Sequence, residues 1–213
     1  MEKNVKKTIK TYNEIAEIYD RLQYLTDVSE EIIESYLRAF QGQGLLDVGC
    51  GPGNDARVFG DNGLEVTGID LSERLLKLAG KNVPQSSFLL MGMRRPAFKD
   101  ESFDGLWVCS SFIHIPRSDA GPTLREFARI LKPNGLMFIN VMEGEREGIV
   151  KSRLYLDKER FFTDYSVVEF RNLIEDEGFE IVDETIGKET KEDAFWINII
   201  ARAASRVRVQ AKL

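Results

Sequence analysis

Hydrophobic positions along this chain fall into two alternating rhythms. Short apolar runs bounded by glycine, proline or acidic residues occupy 44–48, 65–70, 88–91, 105–110, 136–141, 180–185 and 194–201, and read as seven strands. Between them, apolar residues recur at helical spacing over 54–62, 73–81, 120–131 and 166–177. The last of these carries Val168, Leu173 and Ile174 on one stripe and stops at Gly178, a residue suited to a helix C-cap. Strands and helices taking turns predict βαβ units, and so an α/β fold with a mostly parallel sheet and helices on both faces. Only the polar stretch 186–193 separates the final two strands, too little for a crossover helix, so they are expected to pair antiparallel as a reversed C-terminal edge hairpin. Ahead of the first strand, two amphipathic segments, 6–25 and 29–40, are expected to dock over the C-terminal edge of the sheet, where open parallel sheets bind ligands.

Composition narrows the function classes. A chain of 213 residues with 43% hydrophobic content can bury the core of a single domain. Its net charge of -6 argues against a broad electrostatic grip on nucleic acid or an anionic membrane. Lys3, Lys6, Lys7 and Lys10 near the start, and Arg202, Arg206, Arg208 and Lys212 near the end, read as solvated ends rather than RNA-binding arms. No secretory-type apolar segment opens the sequence and no run approaches the ~20 apolar residues of a membrane span, so a cytoplasmic protein is expected. In a reducing compartment Cys50 and Cys109 stay thiols. With a single histidine, His114, and no Cys/His cluster, no metal is expected.

The segment Leu45-Leu46-Asp47-Val48-Gly49-Cys50-Gly51-Pro52-Gly53-Asn54 reads as a buried strand entering a glycine loop and then a helix. Gly49, Gly51 and Gly53 permit positive φ and let a ligand approach the backbone, although a tight turn would use the same residues. The spacing is G-x-G-x-G, whereas the dinucleotide fingerprint asks for G-x-G-x-x-G. One strand later, Asp70 in Gly68-Ile69-Asp70-Leu71-Ser72 stands 21 positions after Gly49. A carboxylate there accepts both hydroxyls of a ribose. Alone, it would also serve as an acid ahead of a helix capped by Ser72.

Three further motifs follow in order: Glu101-Ser102-Phe103-Asp104, Ser110-Ser111-Phe112-Ile113-His114-Ile115, and Glu126-Phe127-Ala128-Arg129-Ile130-Leu131-Lys132-Pro133-Asn134-Gly135. Together with the loop and Asp70, the set resembles the class I S-adenosylmethionine-dependent methyltransferases, specifically the small-molecule branch with the type 11 domain, over about residues 10–201. The resemblance implies a Rossmann-like fold, S-adenosylmethionine as cofactor, and direct in-line methyl transfer to a small-molecule acceptor. It divides one domain into lid helices (1–42), a cofactor-binding core (43–142), a substrate loop (143–165), a C-terminal helix and hairpin (166–203) and a basic tail (204–213). Asp47, Gly49, Cys50, Gly51 and Gly53 would back the methionyl part, Asp70 with Leu71 the ribose, and Gly92, Met93 and Arg94 the adenine. Ser110 and Ser111 would face the transferred methyl group. One position departs from the family: Gly92 stands where an acidic side chain usually meets the adenine amino group. That leaves the Met93 N–H to read the ring and is expected to weaken binding by roughly 1 kcal/mol.

His114 has an ordinary pKa near neutrality and is a candidate general base; otherwise it caps the next turn or lines the pocket. Cys50 is not expected to act as a nucleophile, because direct transfer needs no covalent intermediate. Tyr12, Ile15, Ala16, Ile18 and Tyr19 share a helical face. By the resemblance, Tyr12 and Tyr19 close over the cofactor, where aromatic faces favour the sulfonium. The stretch 153–165, read as a loop, is the natural place for acceptor contacts. Competing readings are a nicotinamide dehydrogenase, which predicts the other glycine spacing, a non-catalytic S-adenosylmethionine-binding module, and an RNA methyltransferase. The last is opposed by the charge and by the lack of an Asn-Pro-Pro-Tyr-type motif after the fourth strand. A monomer is expected.

Overall fold

In the computed structural model, which describes residues 3–22, 28–188 and 194–204, the apolar runs pair largely as their spacing predicts. The described strands are β1 (Gly44–Val48), β2 (Glu65–Asp70), β3 (Ser87–Leu90), β4 (Phe103–Val108), β5 (Leu131–Met142), β6 (Glu147–Ser152), β7 (Lys158–Thr163), β8 (Phe179–Gly187) and β9 (Trp196–Ala203). Seven form one sheet in the order β3-β2-β1-β4-β5-β9-β8, parallel from β3 through β5. β9 runs against both of its neighbours, so the expected hairpin places β8 at the edge and reverses only β9. Strand order changes direction at β1, which opens a crevice at the C-terminal ends of β1 and β4.

The described helices are α1 (Lys3–Leu22), α2 (Glu30–Ala39), α3 (Asn54–Asp61), α4 (Glu73–Asn82), α5 (Arg117–Ile130) and α6 (Val167–Asp176). Because β4 and β5 are covered on both faces, their side chains feed two separate cores. On one face Trp107 stacks on Phe138 at 4.1 Å and meets Phe59 of α3 edge-on at 4.8 Å. On the other, Leu106, Val108, Met137, Ile139 and Val141 pack against Phe127 and Ile130 of α5 and Phe170 and Ile174 of α6. The predicted caps form: Ser72 Oγ accepts from Leu75 N, and Gly178 ends α6 at φ +87°; Ser166 Oγ also accepts from Glu169 N at the start of α6. Asp104 at the start of β4 accepts from Gln43 N and Gly44 N and pairs with Lys132.

Three expectations are corrected. α2 does not lie over the sheet edge: its apolar stripe covers the bare face beside α3, where Tyr36 is fully buried and donates to the carbonyls of Leu106 and Leu136. A Cβ on Gly105 would sit 2.3 Å from the Tyr36 oxygen, so glycine permits that approach. Secondly, β5 starts at Leu131 rather than 136. Phe103 pairs with Leu131, the chain bulges through Asn134 at φ +63°, and Gly105 then meets Leu136.

Thirdly, the stretch read as a substrate loop is an antiparallel hairpin of β6 and β7. Its turn escapes sequence reading because Leu156, not glycine, takes the left-handed conformation, with φ +58° at 64% exposure. Leu156→Asn replaces a residue strained at positive φ by one that tolerates it. The substitution is expected to raise stability by about 1 kcal/mol, seen as a rise of about 2–4 °C in melting temperature. A lowered melting temperature would contradict the strain.

α1 alone takes the edge position, bridging α4 and β7. On one side Ser72 Oγ and Arg74 N donate to Asn13 Oδ1, and Glu17 pairs with Arg74. On the other, Thr11 Oγ1 donates to the Glu159 carbonyl and Phe161 N to Thr8 Oγ1, while Lys7 pairs with Glu159 and Lys158 with Glu14. Of the basic ends, Lys7 and Lys10 thus have acidic partners within the fold. Residues 23–25 of the first segment, and Arg206, Arg208 and Lys212, lie outside the described residues. Among the described residues no helix is long and apolar enough to cross a membrane.

Candidate active site

A cavity of about 360 Å³ lies at the C-terminal ends of the central strands, with α1 as its lid. Its floor is the glycine loop, where Gly49, Gly51 and Gly53 all take positive φ, at +78°, +53° and +90°. Gly49 N and Cys50 N both donate to the Ile69 carbonyl, pinning the loop to the end of β2. A Cβ at Gly49 would lie 2.4 Å from Ser111 Cβ, so glycine is required where the loop passes the exit of β4. Ser111 Oγ in turn donates to the Val48 carbonyl at 2.6 Å.

Asp70 serves as the acid ahead of α4 and also faces the cavity. Its Oδ1 accepts from Ser72 N at 2.7 Å, at the start of α4, and its Oδ2 accepts from Gly51 N at 3.1 Å while the residue lines the cavity. Burial pushes its carboxyl up, opposed by those N–H donors. Asp55 accepts from Trp107 Nε1 at 2.7 Å, and Asp47, 2% exposed, has a buried Oδ2 with no partner. Burial raises both of these carboxyls too, and Asp55 and Asp70 raise that of Asp47 further. No Lys or Arg among the described residues forms an ion pair with any of the three. Carboxyl groups without cation partners at this end suit a ligand with positive centres, whose charge would favour their ionised form. S-adenosylmethionine, with a sulfonium and an ammonium group beside a ribose, fits that donor set.

Cys50 is a packing residue. Its Sγ would lie 2.8 Å from a Cβ on Gly68, and burial with the charges of Asp47 and Asp70 pushes the thiol up, away from a thiolate nucleophile. Leu71, Gly92, Met93 and Arg94 line the far end, with Arg94 tied to Asp119 of α5 at 2.7 Å. Ser110 holds φ +50°, and its N donates to Asn140 Oδ1 at 2.6 Å, so a strained exit from β4 is braced from β5.

Under the lid the hydrogen-bond directions are fixed by chemistry. The Phe161 carbonyl can only accept, so His114 Nδ1 donates to it at 2.6 Å and Nε2 accepts from the Tyr12 hydroxyl at 2.8 Å. Arg160 Nη1 donates to that same hydroxyl at 3.0 Å. Tyr19 packs edge-on to Tyr12 at 5.2 Å and lies over the loop, 3.7 Å from where a Gly51 Cβ would be. The structure therefore brings every sequence-predicted site residue to this crevice, except that Asp47 and Gly53 stand behind the loop; a Gly53 Cβ would press on Ala79 of α4. Asp55, Asn140 and Arg160 were not anticipated. Asp55 was detectable as an acid just past the glycine loop, whereas Asn140 and Arg160 reach the site through pairings far away in sequence.

Burial, and then the Arg160 charge, lower the His114 pKa to about 4. Between that value and the ordinary one of about 6.5, the unfolded chain takes up a proton that the folded protein refuses, so this residue's contribution to stability falls on acidification. Asp47, Asp55 and Asp70, with raised carboxyls, act in the opposite sense. Comparison with His114→Gln isolates the histidine: in denaturant titrations the variant should gain about 3 kcal/mol on wild type between about pH 7 and pH 4. A pH-independent difference would refute a neutral, buried ring.

A doubly wound parallel sheet, a glycine loop at its switch point and a carboxylate at the end of the next strand define a nucleotide-cofactor-binding α/β protein of the Rossmann-like class. Residues 46–139 match the methyltransferase domain family. A demethylmenaquinone methyltransferase of Thermotoga maritima is 30% identical over 145 residues, covering 64% of this chain and 62% of the relative. The chain spans 41% and 30% of two other curated relatives. Among solved structures, the Burkholderia thailandensis 1,6-didemethyltoxoflavin-N1-methyltransferase with S-adenosylhomocysteine superposes with a TM-score of 0.73 at 19% identity, over 96% of this chain and 92% of its own. The [4+2]-cyclase SpnF shares the fold at a TM-score of 0.74 and 18% identity, over 92% and 94%. Over residues 46–139 the chain carries a methyltransferase domain, on the Rossmann-like fold shared with S-adenosylmethionine-dependent methyltransferases.

Proposed function

We propose that the protein is a single-domain, monomeric cytoplasmic enzyme that methylates a small-molecule acceptor by direct in-line displacement. The observation that carries the cofactor assignment is a cluster of carboxyl groups without cation partners, the buried Asp47 and the partly exposed Asp55 and Asp70, around a loop whose glycines take positive φ. When bound, S-adenosylmethionine supplies an electrophilic methyl group on a positively charged sulfur. Gly49, Cys50, Gly51 and Gly53 would seat the methionyl part with Asp47 and Asp55 behind it, Asp70 and Leu71 the ribose, and Gly92, Met93 and Arg94 the adenine. Ser110 and Ser111 would flank the reacting carbon, and Tyr12 and Tyr19 would exclude water from above. In-line transfer is supported by the lack of an activated nucleophile at Cys50. Because both His114 nitrogens are already engaged, the residue reads as a positioning group rather than the base. Small-molecule acceptors are supported by the named substrates of the quinone and toxoflavin relatives.

A second reading, binding of S-adenosylmethionine without methyl transfer, has support in Gly92 and in the cyclase of the same fold. Calorimetric titration with S-adenosylmethionine, followed by transfer of labelled methyl to pooled small molecules, separates the two. Binding with transfer supports the enzyme, binding without transfer supports the second reading, and no binding sinks both. Gly92→Asp restores the acid expected at the adenine end, and a Cβ there would meet only the Leu71 side chain, at 3.4 Å. Cofactor affinity should rise about fivefold; an unchanged affinity in calorimetry would mean that the adenine does not lie beside Gly92.

A further inference from the structure

Arg160, on β7, is 7% exposed, yet among the described residues no carboxylate pairs with it. The other partly buried arginines nearby are paired: Arg117 with Glu147 and Glu169, Arg129 with Asp100 and Glu126, and Arg94 with Asp119. The groups that face Arg160 are neutral rings. Its guanidinium carbon lies 4.6 Å from the Tyr155 ring centre, 4.9 Å from Phe162 and 5.4 Å from Tyr12. Nη1 uses the Tyr12 hydroxyl as its acceptor, and Nε is buried with no partner. Aromatic faces recover part of the cost of burying a cation, but an unused donor on a desolvated guanidinium calls for an anion.

The position of this charge gives it a use. Tyr12 lines the cavity with one face and holds Arg160 through its hydroxyl, so the cation stands directly behind the lid wall. The cavity thus has carboxyl groups, Asp55 and Asp70, at one end and a guanidinium behind its wall under α1 at the other. His114, neutral in this setting, adds no second charge there. Building on the proposed methyl transfer, we propose that the acceptor carries an ionised carboxylate and that Arg160 is its counter-ion. The Tyr12 hydroxyl occupies the anion's place in the closed lid. A carboxylate that displaces it from Nη1, or accepts from Nε, completes a charge-assisted pair.

The test uses protein saturated with S-adenosylhomocysteine, titrated with benzoate and with its uncharged isostere benzamide and followed by ligand-observed nuclear magnetic resonance. Benzoate is expected to bind at least about tenfold more tightly than benzamide. Arg160→Gln should erase that preference, and Arg160→Lys should keep part of it. Tyr12→Phe, which removes the competing hydroxyl, should tighten benzoate binding. Equal binding of the two probes, binding of neither, or a preference that survives Arg160→Gln would overturn the proposal. If Arg160→Gln does not fold, the wild-type contrast and Tyr12→Phe still decide. Calorimetry with S-adenosylhomocysteine alone separates the two levels: failure to bind it sinks the methyltransferase reading, whereas normal binding with no benzoate preference sinks only the carboxylate.

Discussion

Asp70→Ala is expected to weaken S-adenosylmethionine binding about a hundredfold in calorimetry. The carboxylate would accept two ribose hydroxyls, and hydrogen bonds to a charged acceptor contribute about 1.5–3 kcal/mol each. A figure near the lower bound for the pair already corresponds to two decades of affinity. Folding stability should change much less, because two effects oppose each other. Gly51 N and Ser72 N lose their acceptor, but a buried carboxylate that raises the carboxyl of Asp47 is also removed. Asp70→Asn keeps the shape yet turns an amide N–H toward one of these two donors, and should fall between wild type and alanine. Unchanged affinity in both variants would remove Asp70 from the cofactor site and leave it as the N-terminal acid of α4.

Trp107→Ala should cost about 4 kcal/mol in denaturant titrations, within the usual range for removing a fully buried large aromatic residue. At this chain length that amounts to a melting temperature lower by about 8–16 °C. The indole is stacked on Phe138, edge-on to Phe59 and Tyr36, and fully buried, so nothing nearby can collapse into the space. Its Nε1–H is also the donor that holds Asp55 at the cavity wall. Trp107→Phe keeps most of the packing but strands that carboxylate, with an expected loss of about 1–3 kcal/mol. A loss below about 1 kcal/mol for the alanine variant would show that this aromatic cluster is not the core on which the glycine loop and α3 rest.

The nearness of Asp55 to Trp107 shows where sequence reading stops. The glycine loop, Asp70 and the capping residues Ser72 and Gly178 were legible because each acts through neighbours a few positions away, and local chemistry fixes their conformation. Strand positions were legible because apolar runs bounded by turn residues leave little choice of element. The pairing of β4 with β5, in contrast, brings Asn140 to Ser110, and the docking of α1 on β7 brings Arg160 to Tyr12; no local pattern encodes either contact.

The hairpin of β6 and β7 was missed for a related reason. Its turn holds Leu156 and Asp157 at positive φ, a conformation that leucine's own preferences oppose. α2 was given the wrong place because an amphipathic pattern says that a helix has an apolar face, but not which bare surface that face will cover. The sequence alone therefore determined the elements of the main sheet apart from the start of β5, the alternation that makes that sheet largely parallel, the glycine cradle and the carboxylate beside it. Only the tertiary structure decided how the lid meets the hairpin, that both His114 nitrogens are engaged, and that a buried arginine stands behind Tyr12 without an acid. Those features depend on distances between residues up to 153 positions apart, which packing sets and local sequence does not.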